Sequence, residues 1–177
     1  MYDEVAQNKR RSTVLIAVFV IFTTAVVWAA LRLMGATGIG IVGIAAVVAI
    51  GTAWLAYWKS DEVALRMSRA VEADPVTYAR LHNLVEGLCI ASGLPKPRIY
   101  VIDDVAPNAF ATGRSPRHAA VAVTTGLLDK MNRVELEGVL AHELSHVKNY
   151  DILVSTLAIV MLGVITLLAE LSFRFHW

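Results

Sequence analysis

The sequence predicts an α+β membrane protein, with an N-terminal transmembrane helical hairpin, a mixed helix-and-strand domain portion and a third transmembrane helix. Three observations carry this reading. Two long uncharged runs occupy residues 12–31 and 35–58, helical and β-branched patterns alternate over 60–151, and a further uncharged run opens at 152. Hydrophobic residues make up 56% of the 177 and the mean hydropathy is +0.58, more than a soluble core of this size requires. The boundaries fall at 1–59 for the hairpin, 60–151 for the domain portion and 152–177 for the last segment.

The chain opens with eleven polar-biased residues ending in Lys9-Arg10-Arg11. Ser12 to Leu31 is then long enough to cross a hydrocarbon core of ~30 Å, and too long for the apolar part of a cleaved signal peptide. Gly35 to Trp58 is a second run, studded with Gly38, Gly40, Gly43 and Gly51 as suits close helix packing. It ends in Trp54, Tyr57 and Trp58, the composition of a membrane–water interface. Lys9, Arg10 and Arg11 flank one end of the hairpin and Lys59, Arg66 and Arg69 the other, while Arg32 stands alone at the tip. The excess of basic residues on one side places the N-terminus and residues 59–150 in the cytoplasm, in a multi-pass protein of the inner or plasma membrane.

From Ser60 the pattern turns soluble. A short helix is expected over Asp61–Val71, and Asp74-Pro75 reads as a capped start for a helix carrying Tyr78, Leu81, Val85, Leu88 and Cys89 at helical spacing. Gly93 and Pro95 stop it. Strands are expected over Arg98–Ile102 and Ala119–Thr125, a turn and short extended piece over Pro107–Gly113, and a short helix over Gly126–Met131. Asn132 and Glu135 form a capping-box pair that opens a helix over Arg133 to about Asn149. Ile152–Ala169 is the third span, eighteen uncharged residues followed by Glu170 and a closing aromatic cluster that includes His176. Cys89, the single cysteine, excludes an internal disulfide and reads as a small buried hydrophobe. Sixteen Lys and Arg against fifteen Asp and Glu give a net charge of +1, no basis for binding nucleic acid. Nothing in the sequence sets an oligomeric state.

The chemistry lies in Val139-Leu140-Ala141-His142-Glu143-Leu144-Ser145-His146-Val147, which contains His-Glu-x-x-His. Histidines four apart share one helix face, so His142 and His146 can reach a single Zn2+ at about 2.0–2.1 Å. Glu143 can then stand beside water activated by the zinc and take its proton as it attacks a peptide carbonyl, which is metallopeptidase chemistry. The alternative, two surface histidines on a charged helix, is disfavoured by the apolar flanks Val139, Leu140, Ala141, Leu144 and Val147. His82 and His118 read as surface histidines, and Glu170 as a carboxylate reaching water at an interface.

The N-terminal hairpin, Pro107-Asn108-Ala109-Phe110-Ala111-Thr112-Gly113, and Leu140-Ala141-His142-Glu143-Leu144-Ser145-His146-Val147-Lys148-Asn149 followed directly by an apolar run form a combination. In it the chain resembles the HtpX-like membrane zinc metalloproteases, relatives of the prenyl-protein endoproteases. The resemblance implies a zincin-like (gluzincin) cytoplasmic domain that degrades damaged or misfolded membrane proteins. It makes His142 and His146 zinc ligands and Glu143 the general base. It lays Asn108, Ala109, Phe110 and Ala111 along the cleft, where an edge strand could hold an extended substrate. The partners it implies are polypeptides, membrane proteins above all, and the lipid bilayer.

Proteins of this kind carry a fourth span and a later glutamate as third zinc ligand, so residues 1–177 are expected to be the first part of a protease. Within them Asp151, five residues past His146, is expected to point off the ligand face. Glu170 lies roughly 36 Å along a continuous helix from His146, and Glu135 roughly 10 Å along the axis from His142. Three readings stay open: a membrane-anchored zinc endopeptidase, a non-catalytic membrane protein or incompetent fragment keeping the zincin frame, and a membrane hairpin with a fortuitous motif.

Overall fold

A computed structural model describes residues 2–33, 35–38 and 40–174. The closing cluster with Phe175, His176 and Trp177 lies outside the described residues, as does the side chain of Glu170. Helix α1 spans Tyr2–Leu33 and α2 Gly40–Met67, joined by a turn in which Gly35 and Gly38 take positive φ of 84° and 105°. Both helices are long and apolar enough to cross a membrane, and only 11% and 28% of their apolar windows is buried. Val14, Val18, Ile21 and Phe22 of α1 and Val42, Ile44, Val47 and Ile50 of α2 are exposed, a surface suited to lipid rather than water.

The hairpin differs from the sequence expectation at both ends. α1 begins within the polar leader rather than at Ser12, and the helix expected over Asp61–Val71 is the continuation of α2 past Trp58. Two pairs accommodate charge in that continuation: Lys59 pairs with Glu62, and buried Asp61 takes the Arg98 guanidinium at 2.6 Å.

After α2 the chain forms β1 (Val71–Glu72), α3 (Ala79–Ser92), β2 (Arg98–Ile102), β3 (Ala109–Gly113), a single 3-10 turn at Pro116–His118, β4 (Ala119–Thr124), α4 (Thr125–Lys130), α5 (Arg133–Lys148) and α6 (Asp151–Arg174). Strand β1, two residues long, is too short to leave a sequence pattern. Asp74 accepts from the Thr77 backbone N–H and hydroxyl, closing a turn just before α3, so the regular helix starts at Ala79 rather than at Pro75. Gly93 ends α3 in the left-handed region at φ 70°, as expected.

The sheet runs β1-β2-β4-β3: β2 is parallel to β4, β3 is antiparallel to β4, and β3 forms an edge. Alternation along the strands divides two cores. Ile99, Val101, Val121 and Val123 face α3 and α5, packing on Leu81, Val85, Leu136 and Leu140. Ala120 and Ala122 turn the other way, onto Leu65 in the continuation of α2. Helix α6 packs against both α1 and α2, where Leu153, Leu157 and Met161 meet Phe19 and Ala53. The sheet therefore lies between the α5 layer and the protruding end of α2, with its β3 edge turned toward α5 and α6.

Candidate metal centre

Helix α5 is positioned from both ends. Asn132 accepts from the Val134 and Glu135 N–H groups while Glu135 accepts from the Asn132 N–H, the capping box read from the sequence. Leu136, Leu140, Leu144 and Val147 are buried on one stripe facing the sheet. At 100° per residue His142 and His146 fall on the far side of the helix and Glu143 on the flank between them and the core stripe. The side chains follow that geometry: His142 is exposed, and Glu143 and His146 are half-buried.

The two imidazoles converge. His142 Nε2 and His146 Nε2 stand 3.2 Å apart, with ring centroids 4.7 Å apart and planes at 87°. Two nitrogens on one tetrahedral zinc at the usual bond length are separated by about 3.3 Å, so this pair already has the spacing of two ligands to a single ion. The other ring nitrogen of His146 is accounted for. Nδ1 lies 3.0 Å from Asp151 Oδ2. A carboxylate only accepts, so Nδ1 carries the hydrogen and Nε2 is left with its lone pair for a cation. Asp151 thus faces the Nδ1 side of the ring, away from Nε2. It is not idle, however: the carboxylate expected to point away from the site sits directly behind a ligand candidate.

Glu143 turns toward the edge strand. Its Oε2 accepts from the Ala111 N–H at 3.1 Å, joining the α5 flank to β3. Because β3 pairs with β4 through Phe110 and Thr112, Ala109, Ala111 and Gly113 direct their backbone groups to the outer edge. Gly113 N–H points the same way, 3.4 Å from Thr156 Oγ1 of α6, and Thr112 Oγ1 lies 3.0 Å from the same hydroxyl. Ala111 therefore lies on the outer edge of β3 beside Glu143, with Ala109 along the same edge and Phe110 half-buried between them. Asn108 stands at the entrance to the strand, exposed, its N–H donating to Thr124 Oγ1. Between β3, α5 and α6 is a cavity of about 240 Å³, lined by Phe110, Glu143, His146, Ile152, Thr156 and, from α2, Ala64.

The donor set fits zinc in two positions. Among the described residues no group of three or more His, Cys, Asp or Glu side chains is placed to hold a metal ion. The other two histidines among the described residues lie elsewhere. His82 Nε2 meets the Ala73 carbonyl at 3.0 Å, and His118 Nδ1 meets the Ser115 hydroxyl at 2.8 Å. Cys89 is buried in the core between α3, α5 and the sheet, and that burial pushes its thiol pKa up.

Residues 75–175 match the sequence profile of peptidase family M48. The chain belongs to that family. Its nearer kin within M48, a family of zinc metalloproteases, are HtpX proteins. It is 43% identical to a "Protease HtpX homolog" of Thermoanaerobacter pseudethanolicus and 42% to one of Caldanaerobacter subterraneus subsp. tengcongensis, each match covering 100% of this chain and 59% of the relative. A third protein of that name, from Desulfatibacillum aliphaticivorans, is 52% identical over 72% of this chain and 41% of its own length. The M48 chain described here spans about three fifths of the length of the first two of these relatives. Asp151 and Thr156, which the motif does not include, sit at the site because the turn after α5 folds α6 back past it. The one sequence signal for them is their closeness to His146.

Proposed function

We propose that this chain carries the metal centre of a membrane-anchored zinc endopeptidase. The observation that carries the reading is the 3.2 Å approach of the His142 and His146 Nε2 atoms beside a carboxylate held at the β3 edge. His142 and His146 would hold the ion, and a catalytic site of this type takes one more protein ligand, from outside the described residues. Zinc in that position supplies Lewis acidity, which polarises a peptide carbonyl and makes water a competent nucleophile near neutral pH.

The chain's own groups have distinct tasks. Glu143, braced at one oxygen by the Ala111 N–H, accepts the proton of the attacking water on its carboxylate and later returns it to the leaving amine. The outer edge of β3 offers backbone groups at Ala109 and Ala111, flanked by Asn108 and Phe110, for an extended peptide, which would lie between that strand and α5. The 240 Å³ cavity beside Glu143, with Phe110, Ile152 and Ile159 in its wall, offers room for a substrate side chain next to that edge.

The same reading extends to topology and substrates. The hairpin and α6 cross the inner or plasma membrane, and residues 59–150 lie in the cytoplasm, supported by the basic residues at Lys9–Arg11 and Lys59–Arg69. Ala64, six residues past the second apolar run, and Ile152, the first residue of the third, line the cavity, which favours substrates presented near the bilayer. Damaged or misfolded membrane proteins are such substrates. A second reading, a non-catalytic binder of unfolded segments on the same frame, is favoured by the two-ligand donor set alone.

Metal analysis and a casein-cleavage assay on the full-length gene product, with and without chelator, separate the two. The endopeptidase reading expects one zinc per chain, lost in a His142→Ala/His146→Ala variant, and cleavage that chelator abolishes and zinc restores. Zinc without chelator-sensitive cleavage supports the binder, and no zinc at all refutes both.

A further inference from the structure

The polar N-terminal extension of α1 carries residues that a membrane anchor has no use for. Asn8 is 6% exposed and Ser12 3%, both well before the middle of the apolar run. Asn8 is buried because it reaches the junction of α5 and α6. Its Nδ2 donates to the carbonyl of Asn149 at 3.0 Å and to Asp151 Oδ1. Its Oδ1 accepts from Arg11 Nη1 at 3.4 Å. The orientation of the amide follows from chemistry, since a carbonyl and a carboxylate both need a donor and a guanidinium needs an acceptor. One residue on, the Lys9 ammonium lies 4.6 Å from the centre of the Tyr150 ring. Tyr150 itself takes a positive φ of 62°, a sparsely populated conformation for a residue of its size, so the contacts from α1 fall on the turn that sets the direction of α6.

Asp151 is therefore held at both oxygens. Oδ2 receives the His146 Nδ1 hydrogen and Oδ1 the Asn8 amide. A carboxylate fixed in this way holds the His146 ring in one tautomer and one rotation, and partners of this kind change metal affinity by about 10–100-fold when removed. We propose that Asn8 is a positioning residue of the metal centre: through Asp151 it orients the His146 imidazole, making the cytoplasm-side end of the first apolar helix part of the zinc site. This rests on the reading that His142 and His146 hold zinc, and it adds a long-range requirement that the His-Glu-x-x-His motif does not contain.

The test is a double-mutant cycle on the full-length gene product in detergent, with Asn8→Ala, Asp151→Ala and the double variant. Zinc affinity is read by competition with a chromophoric chelator, and the ligand field by the visible spectrum of the Co2+ form. Asp151→Ala should weaken binding by about 10–100-fold and Asn8→Ala by a smaller factor of about 2–10. The double variant should match Asp151→Ala within about twofold, because Asn8 acts only through that carboxylate. The Co2+ bands of Asn8→Ala should shift in the same direction as those of Asp151→Ala. Ser12→Ala, on the same helix, should leave affinity and spectrum unchanged. Should Asn8→Ala fail to fold by circular dichroism, Asn8→Leu, of similar size and higher helix propensity, enters the same cycle. Wild-type affinity in the Asn8 variant, or an effect that multiplies in full onto Asp151→Ala, overturns the positioning role and leaves the zinc reading standing. A wild-type chain that binds no zinc overturns both.

Discussion

Replacing Glu143 by Gln separates the three things this side chain can do: ligate, catalyse and brace the fold. Its Oε2 accepts the Ala111 N–H at 3.1 Å, and a carboxamide oxygen can accept the same hydrogen, so the brace between α5 and β3 survives the exchange. His142 and His146 are untouched, so zinc content should also survive. What disappears is the basic oxygen. A general base contributes about 10²–10⁴ in rate, which corresponds to about 2.7–5.4 kcal/mol of barrier. Glu143→Ala makes the contrast. It removes the acceptor as well, leaves the Ala111 N–H facing a half-buried edge and costs about 1–2 kcal/mol of stability. In the full-length gene product, casein turnover, metal content and thermal midpoint should therefore dissociate. The Gln variant should keep its zinc and its midpoint while losing at least a hundredfold in turnover. The Ala variant should lose turnover and drop by a few degrees. Turnover within tenfold of wild type in the Gln variant would show that another group takes the proton. Loss of zinc in the Gln variant would show that Glu143 is a ligand, and either result would refute the assignment.

Three further outcomes can be checked independently of catalysis. A cysteine placed at Ser115, in the loop whose neighbour Arg114 lies 4.5 Å from the Trp58 ring, should resist membrane-impermeant labelling of intact cells, whereas one at exposed Thr37 in the hairpin turn should react. The reverse pattern would invert the topology. Cys89 should alkylate far more slowly than a free thiol near neutral pH, because burial raises its pKa and keeps it protonated, and should react at the ordinary rate once the protein is unfolded in denaturant. Gly126→Ala should lower the unfolding midpoint by the equivalent of about 1–3 kcal/mol, since a Cβ there would meet the Val105 carbonyl oxygen at 2.1 Å, and an unchanged midpoint would show that the α4 entry is not tightly packed.

What the sequence displayed depended on the distance over which each interaction acts. The Asn132–Glu135 capping box, the Gly93 stop and the four-residue step from His142 to His146 are local, and each stands in the structure where periodicity puts it. The continuous α2 is illegible because its charged residues suggest an exit from helix-in-membrane to a new element. Only the Arg98 guanidinium, 37 residues further on, shows why Asp61 can be buried there. Asp151 illustrates the same limit at the site. Five residues past His146 it lies off the ligand face of an ideal helix. The helix ends at Lys148, however, and a turn through Tyr150 at positive φ brings the carboxylate round behind the ring.

That turn has a consequence for how the metal centre and the apolar helices depend on one another. Each layer around the two histidines comes from a segment at a different sequence distance. The ligand pair lies within α5, the carboxylate brace begins α6, the Glu143 brace comes from β3 32 residues earlier, and Asn8 lies 143 residues from Asp151. Ala64 and Leu65 of α2 close the cavity and the lower face of the sheet from the hairpin side. A piece cut after Met67, at the end of α2, would keep the motif and the capping box. It would lose the Asn8 amide behind Asp151, the Leu65 packing on Ala120 and Ala122, and the Asp61 partner of Arg98, all of which hold the site in register. The hairpin is therefore a structural wall of the site as well as an apolar anchor, and removing it should loosen the histidine pair before it unfolds the sheet.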